Sequence, residues 1–187
     1  MIVRLFPHGS AEYRASLTLR CRFLREPLGL MLTPADLAGE EDQLHFGLFL
    51  SEEDQAVCPP PEGLVASLIA KPLESPPQGV TRVMGAADAE SGVSAPSEAV
   101  FEGYFTGPVR LRQVVVHDDF RSCGAGRRLL AGAEKHLSEL GATEFRLFAR
   151  TPVAGFYQRC GYELTGLVAE LIGLPHSELV KTYRGLE

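Results

Sequence analysis

Residues 121–130 read RSCGAGRRLL and place two glycines, Gly124 and Gly126, at the start of a predicted helix. The surrounding pattern reads as a buried strand (VRLRQVVV, 109–116), a helix (GAGRRLLAGAEKHLSELGA, 124–142) and a second strand (EFRLFAR, 144–150). We therefore predict a βαβ unit whose two parallel strands are joined right-handedly. The helix carries an apolar stripe formed by Ala125, Leu129, Leu130, Ala133, Leu137 and Leu140.

The glycine turn is typical of a pyrophosphate site, because free N–H groups and the positive end of the helix dipole meet in one small volume. Arg121, Arg127 and Arg128 add positive charge around it. A nucleotide P-loop is excluded, since G-x-x-x-x-G-K-[ST] is absent. A dinucleotide fingerprint needs a third glycine where Leu129 stands, although Glu144 has the expected separation. A third reading is that the glycines only permit a tight turn.

The N-terminal third predicts two helices followed by two strands. Ser10 is a candidate N-cap for a helix that ends near Pro27 and Gly29, with an apolar face of Tyr13, Leu17, Cys21 and Leu24. TPADLAG (33–39) predicts a second, short helix capped by Thr33. LHFGLFL (44–50) and GLVASLIAK (63–71) then alternate as an antiparallel pair.

The C-terminal third predicts a helix over TPVAGFYQRCG (151–161), capped by Thr151, and two closing strands, YELTGLVAEL and ELVKTY, around IGLPHS (172–177). Together the elements indicate an α+β (α/β layered) fold, with a parallel pair inside a mostly antiparallel sheet. We expect a single domain over residues 1–187, with a mobile insertion at 73–100, where Pro, Gly, Ser and Ala dominate; a functional lid is the alternative for this segment.

Composition narrows the function classes. The net charge of −6 argues against general nucleic-acid binding, and no apolar run reaches the ~18 residues of a membrane span, so we expect a cytoplasmic protein. The cysteines at 21, 58, 123 and 160 form no C-x-x-C pair, so no metal site is predicted.

Two motifs resemble those of the GNAT superfamily of acyl-CoA-dependent N-acetyltransferases: R-x-x-G-x-G at residues 121–126, and AGFYQRCGY at 154–162. The resemblance extends from about Val109 to Tyr183, and LRCRFLREPLGL (19–30) is similar to the first helix of many small members. It implies a GNAT-like mixed sheet with a splayed central parallel pair and helices on both faces. It also implies acetyl transfer from acetyl-CoA, as co-substrate, to a primary amine of a small molecule or peptide. A non-catalytic acyl-CoA-binding or regulatory domain is the alternative, and a purely structural module is a third.

The resemblance also implies residue roles. Tyr157 would act as general acid toward the departing thiolate, although a buried tyrosine beside Phe156 is also what core packing requires. The pantetheine arm would meet the main chain of one strand, and the phosphates would meet the glycine turn. The implied cofactor-binding residues are Val114, Val115, Val116, Arg121, Ser122, Cys123, Gly124, Ala125, Gly126 and Arg127.

The acceptor side is less determined. The strand VRLRQVVV carries no carboxylate to serve as general base, so a water relay or a histidine is needed. Arg25, His45 and His176 are candidate substrate-binding residues, with His176 expected in a loop between the closing strands, whereas His117 fits a turn better. The identity of the acceptor stays open, and a homodimer is possible.

Overall fold

The computed structural model describes residues 1–51, 54, 59–73 and 107–183. Of the predicted insertion at 73–100, only Leu73 falls among them, and Cys58 also lies outside the described residues. In chain order, the described strands and helices are β1 (Ile2–Phe6), α1 (Ala11–Arg20), α2 (Pro34–Leu37), β2 (Leu44–Phe49), β3 (Leu64–Pro72), β4 (Pro108–Val116), α3 (Ala125–Glu139), β5 (Glu144–Arg150), α4 (Ala154–Gln158), β6 (Glu163–Leu171) and β7 (Leu174–Thr182).

The strands form one sheet in the order β1-β2-β3-β4-β5-β7-β6. Every described pairing is antiparallel except that of β4 with β5, which is parallel. The predicted mixed sheet and its βαβ unit are thereby confirmed. None of the described helices is long and apolar enough to cross a membrane.

Helices cover both faces of the sheet. On one face α3 and α4 pack in the larger core, and all six residues of the predicted α3 stripe are at most 6% exposed. On the other face α1 packs in a smaller core with Phe6, Phe49 and Leu64. This second face is covered mainly at β1 to β3, because the smaller core takes nothing from β5, β6 or β7.

The caps of the first two helices follow the predictions. The hydroxyl of Ser10 accepts a hydrogen bond from the Tyr13 amide at 3.1 Å, and the Thr33 amide donates to Asp36 Oδ2 at 2.9 Å. The buried face of α1 differs, however: Leu17 is only partly buried, while Ser16, Leu19 and the charged Arg20 are buried. An ion pair permits Arg20 to take a core position that its residue type does not predict.

Three further predictions are corrected by the structure. Strand β1 precedes α1, although the prediction placed both helices before any strand. The helix predicted over 151–161 is shorter, because Thr151–Val153 forms a 3₁₀ turn and only Ala154–Gln158 is α-helical. The connection between β6 and β7 is a tight turn at Ile172 and Gly173, both with positive φ (50° and 71°), so β7 already begins at Leu174.

Candidate active site

The parallel strands β4 and β5 diverge after three residue pairs. Pro108, Val109 and Arg110 pair with β5, and the last pair is Arg110 with Arg146. Beyond it, residues 111–116 of β4 pair on that side with no strand of the described residues, although β5 itself continues to Arg150. Backbone groups along the opening are therefore available to a ligand, because a strand edge is a row of unpaired donors and acceptors.

A β-bulge shapes the β4 side of the opening. Ser67 lies opposite Val115 and Ile69 opposite Arg112, so two β4 residues, Gln113 and Val114, face one residue of β3. Gln113 adopts a left-handed conformation with φ 50°, which is rare outside glycine and is typical of functional sites.

The bulge decides which way the three predicted valines face. Val114 and Val116 pack against the larger core, whereas Val115 belongs to the smaller core beneath α1. The His117 amide donates to the Val65 carbonyl of β3 at 2.9 Å. Since backbone groups alternate along a strand, those of Val115 also point to β3, and those of Val114 and Val116 point into the opening.

The glycine turn lies at the end of α3 nearest the opening. Ser122 and Gly124 have positive φ values of 63° and 86°. The first backbone bond of α3 is donated by Arg128 to the Gly124 carbonyl at 2.9 Å, so the amides of residues 125–127 have no acceptor within the helix. Arg121 reaches Asp118 at 2.7 Å, and the Cys123 thiol donates to the Phe120 carbonyl.

Gly126 is required by close packing. A Cβ atom here would lie 3.0 Å from Phe156 Cζ and 3.4 Å from Val116 Cγ2. The missing side chain lets α4 and β4 approach the start of α3 together. Gly124, in contrast, has no neighbour within 4 Å of a built Cβ, so space remains open above the turn.

Tyr157 lies on α4, in the same core. It is buried, and its ring contacts Phe156 and Tyr162 with centroids 5.0 and 5.9 Å apart. Burial raises the pKa of Tyr157, so the phenol stays protonated. Its hydroxyl makes no hydrogen bond with any described residue, whereas the neighbouring Tyr162 hydroxyl donates to Glu134 at 2.7 Å. A buried tyrosine usually finds a partner, so a free hydroxyl indicates room for a ligand.

The predicted acceptor residues are not brought together. Arg25 is buried and forms an ion pair with Asp36 at 3.3 Å. His45 is buried on β2, two strands from the opening, with Nε2 2.9 Å from the Glu40 carbonyl. His117 accepts from the Asp119 amide at 3.3 Å, as a turn residue does.

His176 lies on a strand and not in the predicted loop. It belongs to β7, where it pairs with Arg150 at the end of β5. Its Nδ1 lies 2.9 Å from the Leu174 carbonyl. Since a carbonyl only accepts, Nδ1 carries the proton of this bond and the neutral ring keeps an unprotonated Nε2.

A row of arginines that the sequence did not predict lies on the face of the sheet opposite α3. Arg110 and Arg112 on β4, with Arg146 on β5, alternate with core residues that point the other way. The available signal was the RLR triplet at 110–112, whose charges are unusual in a central strand.

Comparison with known proteins first defines the class of fold. The chain superposes on an acyl-CoA N-acyltransferase from Pseudomonas aeruginosa with a TM-score of 0.61 at 16% identity, covering 96% of this chain and 98% of that one. An aminoglycoside 6'-N-acetyltransferase solved with coenzyme A gives a TM-score of 0.57 at 15% identity, with 97% of each chain covered. The fold is that of the GNAT N-acetyltransferases.

The sequence is also similar to this family over part of the chain. The acetyltransferase (GNAT) domain model matches residues 86–164, which include both motifs. The Bacillus subtilis protein YyaT is 31% identical over 72 residues, 38% of this chain and 49% of that protein. The chain thus spans about half the length of the curated relatives it matches. The resemblance stated from the motifs is confirmed.

Proposed function

We propose that this protein transfers an acetyl group from acetyl-CoA to a primary amine of a small molecule or peptide, by direct attack in a ternary complex. The opening between β4 and β5 carries the proposal, because β4 main chain without a strand partner leads to the glycine turn, and α4 with Tyr157 directly follows β5. The match of the acetyltransferase (GNAT) domain model to residues 86–164 supports acyl transfer from an acyl-CoA. We also propose that the acyl group is acetyl, that the acceptor group is a primary amine and that the protein is cytoplasmic.

Acetyl-CoA would bind along the opening and across the glycine turn. The free amides of residues 125–127 and the guanidinium of Arg127 are suited to the pyrophosphate. The main chain of Val114 and Val116 would pair with the pantetheine amides as an added strand does. Arg121 pairs with Asp118, and its Nε donates to the Val116 carbonyl at 3.4 Å, so it would have to release both before it could bind a phosphate and free that carbonyl for the pantetheine. We therefore assign it a weaker role in phosphate binding.

The reaction needs a neutral amine, a stabilised oxyanion and a proton for the leaving group. The amine nitrogen attacks the thioester carbonyl, the C–S bond breaks, and the thiolate takes the proton of the Tyr157 hydroxyl. An unpaired β4 amide at the opening would stabilise the oxyanion. His176, with Nε2 unprotonated, would accept the proton that the amine loses.

The alternative is an acyl-CoA-binding or regulatory domain without turnover. The hydroxyl of Tyr157 favours the enzyme, since it has no hydrogen-bond partner among the described residues and a binding domain has no use for a proton donor at this position. Both functions require acetyl-CoA binding, so turnover distinguishes them.

The test combines calorimetric titration with acetyl-CoA and a thiol-release assay over a panel of amines and short peptides. Tyr157→Phe should lower kcat by roughly 10²–10⁴, as for loss of a general acid, while acetyl-CoA affinity stays the same. Tyr162→Phe is the matched control, because it removes a hydroxyl that donates to Glu134. It should lower the free energy of unfolding and leave kcat unchanged.

The possible results distinguish the enzyme from the binding domain and test the role of Tyr157. Binding without thiol release for any amine would favour the binding domain. Absence of acetyl-CoA binding would overturn both functions. Unchanged kcat in Tyr157→Phe would remove this residue from the mechanism.

A further inference from the structure

The sheet face opposite α3 is cationic around the opening, in a chain whose net charge is −6. By strand alternation, Arg110 and Arg112 of β4 and Arg146 and Arg150 of β5 lie on this face. The carboxylate of Glu178 lies near two of them, at 4.0 Å from Arg110 and 3.8 Å from Arg146. Arg146 is also neutralised by Glu144 at 2.6 Å. Arg112 of β4 and Arg150 of β5 have no carboxylate within ion-pair distance among the described residues.

The partial burial of the Arg112 guanidinium is not offset by a carboxylate partner among the described residues. The guanidinium is partly buried and donates to the neutral Gln43 Oε1 at 3.3 Å, and no carboxylate of the described residues lies within ion-pair distance. Burial lowers the pKa of Arg112; the Glu40 charge opposes that change, and the neighbouring guanidinium groups of Arg20, Arg110 and Arg25 add to it. A partly desolvated cation among cations is unfavourable without an anion.

The neighbouring cations differ from Arg112 in having their own partners. Arg20 forms a two-point ion pair with Glu40, and Arg25 contacts Asp36. Arg110 is intermediate: its Nε is buried without a hydrogen-bond partner, and its guanidinium lies 5.1 Å from the centre of the Phe148 ring. Arg112, assisted by Arg110, therefore forms an anion site that no described side chain fills.

The position of Arg112 relates this site to the proposed reaction. Arg112 is the last residue before the bulge at Gln113, and Val114, which lines the opening, follows two residues later. Two residues of extended strand span about 7 Å, and the left-handed bulge residue Gln113 makes the span shorter than that. An anion held by Arg112 would thus leave the other end of a small molecule at the opening, where the thioester is proposed to lie.

We propose that the acceptor is an amino carboxylic acid: a small amine whose own carboxylate is held by the guanidinium of Arg112, with Arg110 beside it. This inference rests on the proposed function and specifies its substrate class. A guanidinium presents its N–H groups as a planar fork that matches the two oxygens of a carboxylate. The contributions of the positive charge and of the planar fork can therefore be separated by substitution of Arg112.

The experiment uses thiol release with acetyl-CoA and matched pairs of acceptors. Glycine, β-alanine, phenylalanine and glutamate are each compared with their carboxamides, and a simple diamine is included. At least one acid should exceed its amide in kcat/KM by about 10- to 100-fold, the value of a hydrogen bond to a charged group. The carboxamide has the less basic amine, so amine protonation works against this preference and cannot create it.

Variants assign the preference to Arg112. Arg112→Gln should raise KM for the acid and abolish the acid-to-amide ratio, with acetyl-CoA affinity unchanged, and Arg112→Lys should fall between the two because it keeps the charge without the fork. Arg14→Gln is the control, since it removes an exposed arginine of α1 whose described bond is to the Gly9 carbonyl.

A binding arm keeps the inference testable without turnover. The same acids are titrated into protein saturated with CoA, and Arg112→Gln should weaken binding by about 10-fold or more. Equal kcat/KM for acids and amides, preference for the diamine, or a ratio that Arg112→Gln leaves intact would overturn the carboxylate site while acetyl transfer stands. Failure of every acid to bind the CoA-saturated protein would overturn it too. Absence of acetyl-CoA binding would instead contradict the proposed function.

Discussion

Two regions of the sheet treat polar groups in opposite ways. Beneath α1, the buried Glu40 carboxylate accepts two bonds from Arg20, at 2.7 and 2.8 Å, and one from the Tyr13 hydroxyl at 2.9 Å. In the proposed site, the Tyr157 hydroxyl and the guanidinium of Arg112 have no charged or polar partner beyond Gln43 among the described residues. The first arrangement holds the N-terminal helix on the sheet, and the second leaves donors for a ligand.

The contrast predicts that substitutions in the two regions affect different quantities. Changes beneath α1 should alter the free energy of unfolding and leave the cofactor affinity of the folded protein unchanged. Changes at the opening should alter affinity or turnover and leave stability nearly unchanged, and changes in the glycine turn should reduce affinity beyond what their local backbone strain costs in stability.

The largest effect is expected from Arg20→Met. Arg20 is 1% exposed and Glu40 is fully buried, so removing the cation leaves a buried charge without its partner. We expect a loss of about 3–5 kcal/mol in the free energy of unfolding, measured by urea denaturation. Arg14→Met, on the exposed side of the same helix, should change it by less than about 0.5 kcal/mol.

A second substitution sharpens this result. Adding Glu40→Leu to Arg20→Met removes the stranded charge and should recover part of the loss, because an apolar pair often replaces a buried ion pair at little cost. Lack of any recovery would show that packing of the long side chains, and not charge pairing, holds α1 in place.

An intermediate effect is expected from Gly124→Val in the glycine turn. Gly124 has φ 86° and no neighbour within 4 Å of a built Cβ, so the valine is strained locally without overpacking the core. It would also stand where a pyrophosphate must approach. We expect acetyl-CoA affinity to fall at least about 10-fold, which corresponds to about 1.4 kcal/mol by titration calorimetry.

Gly29→Val provides a matched control. Gly29 also has positive φ, 67°, and open space, but it follows the first helix far along the chain from the turn. The two variants should lose similar stability, because both force a β-branched residue into the left-handed region. Equal losses of acetyl-CoA affinity would mean that strain alone explains the Gly124 result.

The part of this comparison that sequence could predict is the part with local patterns. The α3 stripe, the parallel pair and the glycine turn follow from periodicity and short motifs within about 40 residues of chain. The ion pair of Arg20 with Glu40 could not be predicted, because nothing local distinguishes a buried arginine from an exposed one. For the same reason, the buried face of α1 differs from the predicted one: Arg20 is buried and Leu17 is only partly buried.

Long-range pairing explains the other misses. Strand β1 is short and carries Arg4 in its centre, so its identity depends on pairing with β2. The sequence predicts a loop at His176, because Gly173 and Pro175 are typical turn residues, yet Ile172 and Gly173 complete the turn alone and Pro175 lies in β7. The bulge at Gln113, which turns Val115 away from the opening, has no local signature in RLRQVVV.

The smallest effect is expected from the pH dependence of unfolding. His45 lies beneath α1, and its Nδ1 is buried without a hydrogen-bond partner. Burial lowers the pKa of His45 from its usual 6.5; the Glu40 carbonyl and carboxylate oppose this change, and His8 and Arg20 add to it. Below pH 6.5 the unfolded chain therefore binds a proton that the folded protein does not, and the free energy of unfolding should fall as the pH drops from 7.5 to 5.

His45→Gln should flatten that pH dependence, because the amide can donate to the Glu40 carbonyl as Nε2 does and cannot titrate. His136→Gln on α3, outside this cluster, should retain it. Acetyl-CoA affinity of the folded His45 variant should match that of the wild type at pH 7.5, since the opening lies two strands away. A changed affinity would show that the region beneath α1 and the opening at β4 are coupled. Substitutions in the two regions would then not affect stability and affinity separately.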